Sequence, residues 1–152
     1  IQIPDWFLEQ YSREFAEIYP LLSRQLIHRD PNPGNIIQGN ECWGIIDFGE
    51  SERNVRILDP CYAATAVLSE NFREDDSEHL QKWIEIYKNI IIGYDEVVKL
   101  TDEEWKAIPY LVLSNQLIAS AWFAEQEKYQ ELYLINIKMT EWMLEHFEEL
   151  KL

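Results

Sequence analysis

Positive charge is scarce in this chain: 13 Lys and Arg stand against 28 Asp and Glu among 152 residues, a net charge of −15. A protein that grips a phosphate backbone needs clustered cations to release counterions, so nucleic acid is excluded as an expected partner. Cysteine is nearly missing too. Cys42 and Cys61 are too few for a disulfide framework and form no CxxC pair. No apolar run reads as long enough to span a bilayer, and no charged-then-apolar start suggests a signal peptide. Cytoplasmic residence with no membrane partner is therefore the expectation. The five glycines, Gly34, Gly39, Gly44, Gly49 and Gly93, never cluster, and the first lysine is Lys82. The chain opens Ile1-Gln2-Ile3-Pro4 without an initiator methionine, and is read as a fragment of something longer.

Apolar residues are not scarce. They make up 47% of the chain, with six Trp and eight Tyr, which excludes a disordered tail. The length suits a single domain with a proper core. His79 and His146 fall in helical patterns far apart in sequence and are read as surface or packing residues rather than metal ligands.

The most informative stretch is His28-Arg29-Asp30-Pro31-Asn32-Pro33-Gly34-Asn35, followed by Asp47-Phe48-Gly49. These residues spell H-R-D-x-x-x-x-N and then D-F-G, the two halves of a kinase-type phosphoryl-transfer centre. The chemistry explains the residue types. Asp30 supplies a carboxylate to take the proton of an acceptor hydroxyl. Asn35 and Asp47 supply the oxygen ligands that the hard cation Mg2+ requires beside phosphates. Between them, Ile36-Ile37-Gln38 and Cys42-Trp43-Gly44-Ile45-Ile46 read as two strands. Gly39-Asn40 is read as a two-residue turn of positive φ, so that Asn35 and Asp47 converge. Taken singly, each residue would more often be structural, closing a turn or ending a strand.

These motifs resemble the aminoglycoside phosphotransferase and choline kinase-like superfamily, small-molecule kinases with a protein-kinase-like fold. Pro33-Gly34-Asn35 is similar to the family's catalytic loop, Leu58-Asp59-Pro60 resembles the D-P that follows the metal aspartate, and no A-P-E triplet follows. The resemblance implies an ATP-dependent transfer to a hydroxyl of a small molecule, with ATP and Mg2+ as cofactors. It implies a catalytic role for Asp30, magnesium at Asn35 and Asp47, and a supporting role for His28. It also implies that Ile37 and Ile46 form the floor under the adenine ring. A glycine-rich loop and a phosphate-pairing lysine are expected upstream of the H-R-D segment and are not found there. Residues 1–152 are therefore expected to be the C-terminal, catalytic-loop lobe, with the N-terminal ATP-clamping lobe absent, and the fragment alone is expected to be inactive. Arg29 departs from the small-molecule branch, where glycine is common. A protein-kinase-like enzyme and a non-catalytic nucleotide-binding scaffold both stay open.

The expected fold class is α+β, mainly α: a short β-hairpin after the catalytic loop and a helical bundle. Pro4 to about Ile18 reads as a helix with Trp6, Leu8, Tyr11, Phe15 and Ile18 on one face, interrupted by Pro20. Arg24 to Ile27 reads as a short extended run. Asp59-Pro60 is read as a cap and first turn, and Gly93 as the end of the helix carrying Leu80, Trp83, Ile84, Tyr87, Ile90 and Ile91. Thr101-Asp102-Glu103-Glu104 is a capping box, and Pro109 either kinks its helix or begins the next. Leu132, Ile135, Met139, Trp142, Met143 and Leu150 form the last stripe. The acidic pairs Glu103-Glu104 and Glu148-Glu149 are read as solvated helix ends. The competing reading of the acidity is a cleft for a cationic, amine-bearing acceptor.

Overall fold

The computed structural model describes residues 2–152. Two small antiparallel sheets and a set of flanking helices build a mixed α+β fold. The order is α1 (Asp5–Gln10), α2 (Ala16–Ile18), β1 (Arg24–Ile27), β2 (Ile36–Gln38), β3 (Trp43–Ile45), β4 (Glu52–Val55), α3 (Leu58–Asn71), α4 (Ser77–Val97), α5 (Asp102–Ala124) and α6 (Gln130–Glu145). β1 pairs with β4, from Arg24 opposite Val55 to Ile27 opposite Glu52. β2 pairs with β3, with Ile36 opposite Ile45. The second hairpin is therefore inserted between the strands of the first, and both chain crossings of the inserted piece lie at one end of the β1–β4 ladder.

Between α1 and α2 the helix widens into a π-turn, Tyr11–Phe15. In a regular α-helix, residues four apart drift by about 40° around the axis. The wider π-turn opposes that drift, so Phe7, Tyr11 and Phe15 all reach Tyr110, at ring-centroid distances of 6.3, 6.1 and 5.4 Å. This shifts the buried face. Phe7 and Phe15 are core residues, whereas Trp6 and Leu8, expected on the inner face, are exposed.

Other local expectations are corrected in the same way. The β2–β3 connection is a four-residue loop, Gly39 to Cys42, closed by Gly39 N–H donating to Cys42 O at 2.8 Å. No described glycine has a positive φ. Gly93 does not end its helix, because α4 runs on to Val97. Pro109 lies inside α5, which continues unbroken as one helix, and Leu132 and Ile135 of α6 are exposed.

α5 is the central helix, packed between α3 and α6. Among the described residues it is the helix long and apolar enough to cross a membrane, a length that scanning for uninterrupted apolar runs did not reveal. More than half of that stretch is buried in the fold. Its polar residues are used inside. Gln116 Nε2 donates to Asn136 O and Oδ1 at 3.1 and 2.9 Å, and Ser120 Oγ lies 3.0 Å from Thr140 Oγ1, stitching α5 to α6.

The capping box at Thr101 forms in full, with Thr101 N–H donating to Glu104 Oε2 at 2.9 Å. Glu104 is not a solvated helix end. It is wholly buried, and Arg56, between β4 and α3, donates to it from both Nε and Nη2, with 2.6 Å to Oε1. Arg56 also donates to Lys99 O at 2.8 Å. Burial pushes the Glu104 carboxyl up, but the guanidinium and the Thr101 N–H outweigh burial and hold it below the ordinary glutamate value. A depressed carboxyl contributes stability above its unfolded value near 4.5 that is lost as pH falls through its folded value. Glu104→Ala is expected to cost about 3–5 kcal/mol, because it strands a largely buried guanidinium. Urea unfolding at pH 7 measures this. The deficit relative to wild type should shrink as the pH is taken below 4.5, and a pH-independent deficit would count against the ion pair as its source.

Candidate active site

β1 delivers the chain to His28, and the direction of the following loop is set by Arg29, whose φ of 79° lies in the left-handed region. A side chain there costs about 1–2 kcal/mol. Two contacts hold it: Arg29 N–H donates to Asp59 Oδ1 at 2.9 Å, and the guanidinium pairs with Glu52 of β4 at 3.0 Å. The position tolerates glycine for the same reason, which accounts for the departure noted in the sequence. Asp59 does not cap α3 as expected; Ile57 occupies that position. Its other oxygen accepts from His28 N–H at 2.7 Å, so one carboxylate on α3 clamps two consecutive amides at the start of the loop.

His28 is buried, and both of its ring nitrogens are committed. Ile46 O can only accept, so Nε2–H donates to it at 2.7 Å, and Nδ1 accepts from Asp30 N–H at 3.2 Å. The ring also lies 4.5 Å from that of Phe48. His28 thus ties the loop that carries Asp30 to the strand end that carries Asp47, and positions both.

The Asp30 carboxylate is held from three sides. Oδ1 accepts from Asn32 Nδ2 at 2.9 Å and from the Tyr62 hydroxyl at 2.8 Å, and Oδ2 accepts from Asn35 Nδ2 at 3.1 Å. Burial, and then the bond to Asp30, push the Tyr62 phenol up, so it remains a donor. Tyr62 was missed in the sequence. The signal for it is geometric: it lies three residues after Asp59 on the same helix, so anchoring Asp59 to the loop brings Tyr62 one turn later to the same place.

Asn35 sits at the root of the β2–β3 hairpin, where Ile46 N–H donates to Asn35 O at 3.0 Å. Asp47 follows directly, with φ 63° and ψ 63°, a left-handed conformation that aspartate tolerates better than most residues. Asn35 and Asp47 are thereby brought to one end of one hairpin. Bonds from Nδ2 to Asp30 O and Oδ2 commit the Asn35 amide nitrogen and leave its Oδ1 uncommitted. The Asp47 carboxylate is exposed, with no ion-pair partner among the described residues. These two oxygen donors fit magnesium shared with phosphates, a cation that keeps most of its ligands outside the protein. No cluster of three or more His, Cys, Asp or Glu suited to a metal occurs among the described residues.

Ile37 lies opposite Gly44 in the ladder, so strand alternation puts Ile37 and Ile46 on the same face of the hairpin. Gly44 leaves that face open between them, and both isoleucines are about half exposed. The result is a flat apolar platform beside Asn35.

A cavity of about 510 Å³ opens next to Asp30, between the loop and α5. Leu58, Ile118 and Trp122 supply apolar wall, and Tyr62, Glu50 and Asn115 polar wall. Asp30 and Glu50 are the two carboxylates lining it, so the acidity of the chain is not concentrated there.

A strand, a clamped H-R-D-x-x-x-x-N loop, an antiparallel hairpin and a D-F-G turn, in that order, are consistent with a protein-kinase-like fold. The model of the phosphotransferase enzyme family (APH) matches residues 3–97, more than half of the chain, and the protein belongs to that family. No curated protein and no solved structure matches it significantly.

The bond from Tyr62 to Asp30 can be isolated by a double-mutant cycle in urea unfolding. Tyr62→Phe is expected to cost about 1–2 kcal/mol in the wild-type background, and markedly less beside Asp30→Ala. Equal costs in both backgrounds would mean that the hydroxyl is held by something else.

Proposed function

We propose that the protein is the catalytic-loop lobe of an ATP-dependent phosphotransferase that phosphorylates a hydroxyl of a small molecule. The observation that carries this reading is the convergence of Asp30, Asn35 and Asp47 at the hairpin root, beside a cavity large enough for a small acceptor. Asp30 Oδ1 already accepts from Asn32 and Tyr62, whereas Oδ2 accepts from Asn35 alone. Oδ2 is therefore the oxygen left to orient the acceptor hydroxyl and receive its proton. Asn35 Oδ1 and the Asp47 carboxylate would hold magnesium against the nucleotide phosphates. When bound, Mg-ATP supplies the phosphoryl group and the cation that offsets its charge. Ile37 and Ile46 offer the apolar floor for a flat base.

His28 acts through position, since neither of its ring nitrogens is free. Arg29, which matches the protein-kinase spelling, is occupied with Asp59 and Glu52, so its presence argues for no peptide acceptor. The exposed apolar residues of the hairpin fit a covering N-terminal lobe with a glycine-rich loop and a lysine, and residues 1–152 alone are expected to bind Mg-ATP weakly and not to turn over.

The test is phosphoryl transfer from ATP by the longest natural form of the protein, across aminoglycosides, choline, homoserine, methylthioribose and amino sugars. Asp30→Asn is expected to lower kcat by roughly 10²- to 10⁴-fold with the KM for ATP little changed. Asp47→Ala should weaken Mg-ATP binding as well. An Asp30→Asn enzyme as active as the wild type would refute the role given to Asp30.

A further inference from the structure

Asn115 is the polar residue of α5 that the fold leaves without employment. It is 8% exposed, and its Nδ2 has no hydrogen-bond partner. Its neighbour Gln116, about 100° further round the helix, is fully engaged with Asn136 across the α5–α6 seam. Asn115 instead borders the cavity beside Asp30 and the two cavities that adjoin it. A buried amide N–H left unpaired costs about 1–3 kcal/mol, and folded proteins seldom keep one without a use for it.

We propose that Asn115 reads the acceptor, its amide donating to a second oxygen next to the hydroxyl that is phosphorylated. This rests on the phosphotransferase reading above and names the acceptor class: a polyol or sugar-like compound with neighbouring oxygens. The rest of the cavity fits that class. Ile118 and Trp122, the latter half exposed, offer a wall for the C–H face of a saturated ring. The charges lining the cavity are those of Arg29, Asp30 and Glu50, and Arg29 is paired with Glu52. With Asp30 assigned to the hydroxyl, Glu50 remains as one counter-charge. The acceptor therefore carries at most one amine held in this cleft, and a polycation would find too few partners here.

The experiment uses the longest natural form and three probes: methyl β-ribofuranoside, myo-inositol and glucosamine, each beside an analogue lacking one hydroxyl. Wild type should prefer at least one probe over its deoxy analogue by about tenfold or more in kcat/KM, the worth of one good hydrogen bond. In Asn115→Leu that preference should fall to about threefold or less, with the KM for ATP unchanged. The melting temperature of Asn115→Leu should be equal or higher, because an apolar group of similar size replaces an unpaired amide. A merely structural asparagine would lower it. Asn115→Ala, which removes the amide without adding an acceptor or a charge, should lose the same preference and serves if the leucine variant folds poorly.

A preference for the probe that survives in both variants, while transfer continues, overturns the assignment and leaves the phosphotransferase reading intact. Transfer that is faster on kanamycin, a polycation, than on every probe overturns the acceptor class. Absence of Asp30-dependent transfer to any compound overturns the phosphotransferase reading and this inference with it.

Discussion

The carboxylate of Asp59 is the joint on which the site depends. It reaches from the first turn of α3 to the amides of His28 and Arg29, and so offsets the cost of a left-handed arginine at the point where β1 turns into the loop. Everything downstream inherits that turn. His28 can bridge Asp30 to Ile46 because its backbone is clamped, and Tyr62 can reach Asp30 because it rides on the same helix as the clamp. The helical half of the molecule is therefore part of the geometry around Asp30 rather than a platform beneath it. Arg56 and Glu104 extend the same logic one layer deeper, fixing the sheet against the start of α5, the helix that forms the far wall of the cavity.

The side chains at the hairpin root divide into two chemical kinds. Asn35 and Asp47 present uncommitted oxygens, whereas His28, Asn32 and Tyr62 spend their polar atoms on holding Asp30 or its neighbours. That division suits the phosphoryl-transfer role we propose, because in that chemistry most of the work lies in placing charge and little of it in covalent bond-making. Asp30 and Glu50 are the carboxylates that line the cavity, so the net acidity of the chain says little about the site.

Much of this was legible in the sequence because it is local. The strand at Arg24–Ile27, the two strands of the hairpin and the capping box at Thr101 follow from short-range patterns, and the loop that brings Asn35 toward Asp47 follows from their order. What was not legible depends on contacts distant in the chain. Glu104 reads as one more acid at a helix end until Arg56 is packed against it, 48 residues earlier. Asp59 reads as a cap until β1 and β4 pair and carry His28 to it. The turn at Gly39-Asn40 was misjudged because glycine permits a positive φ without requiring one, and the Gln38–Trp43 register calls for a longer loop. The inner face of the first helix was misjudged because periodicity assumes 3.6 residues per turn, and the π-turn departs from it.

That π-turn has a consequence for how this part of the chain tolerates change in length. A π-turn is an α-helix that has absorbed one extra residue. Removing one of Ser12, Arg13 or Glu14 would restore regular helix and leave the preceding turns facing as they do, because seven residues of regular helix come to within about 20° of two full turns, which is where the π-turn already holds Phe7 relative to Phe15. Phe7 would stay in the aromatic cluster of Tyr110 and Phe147, and Trp6 and Leu8 would stay outside it. In this segment, loss of a single residue shortens the helix while its aromatic packing is kept.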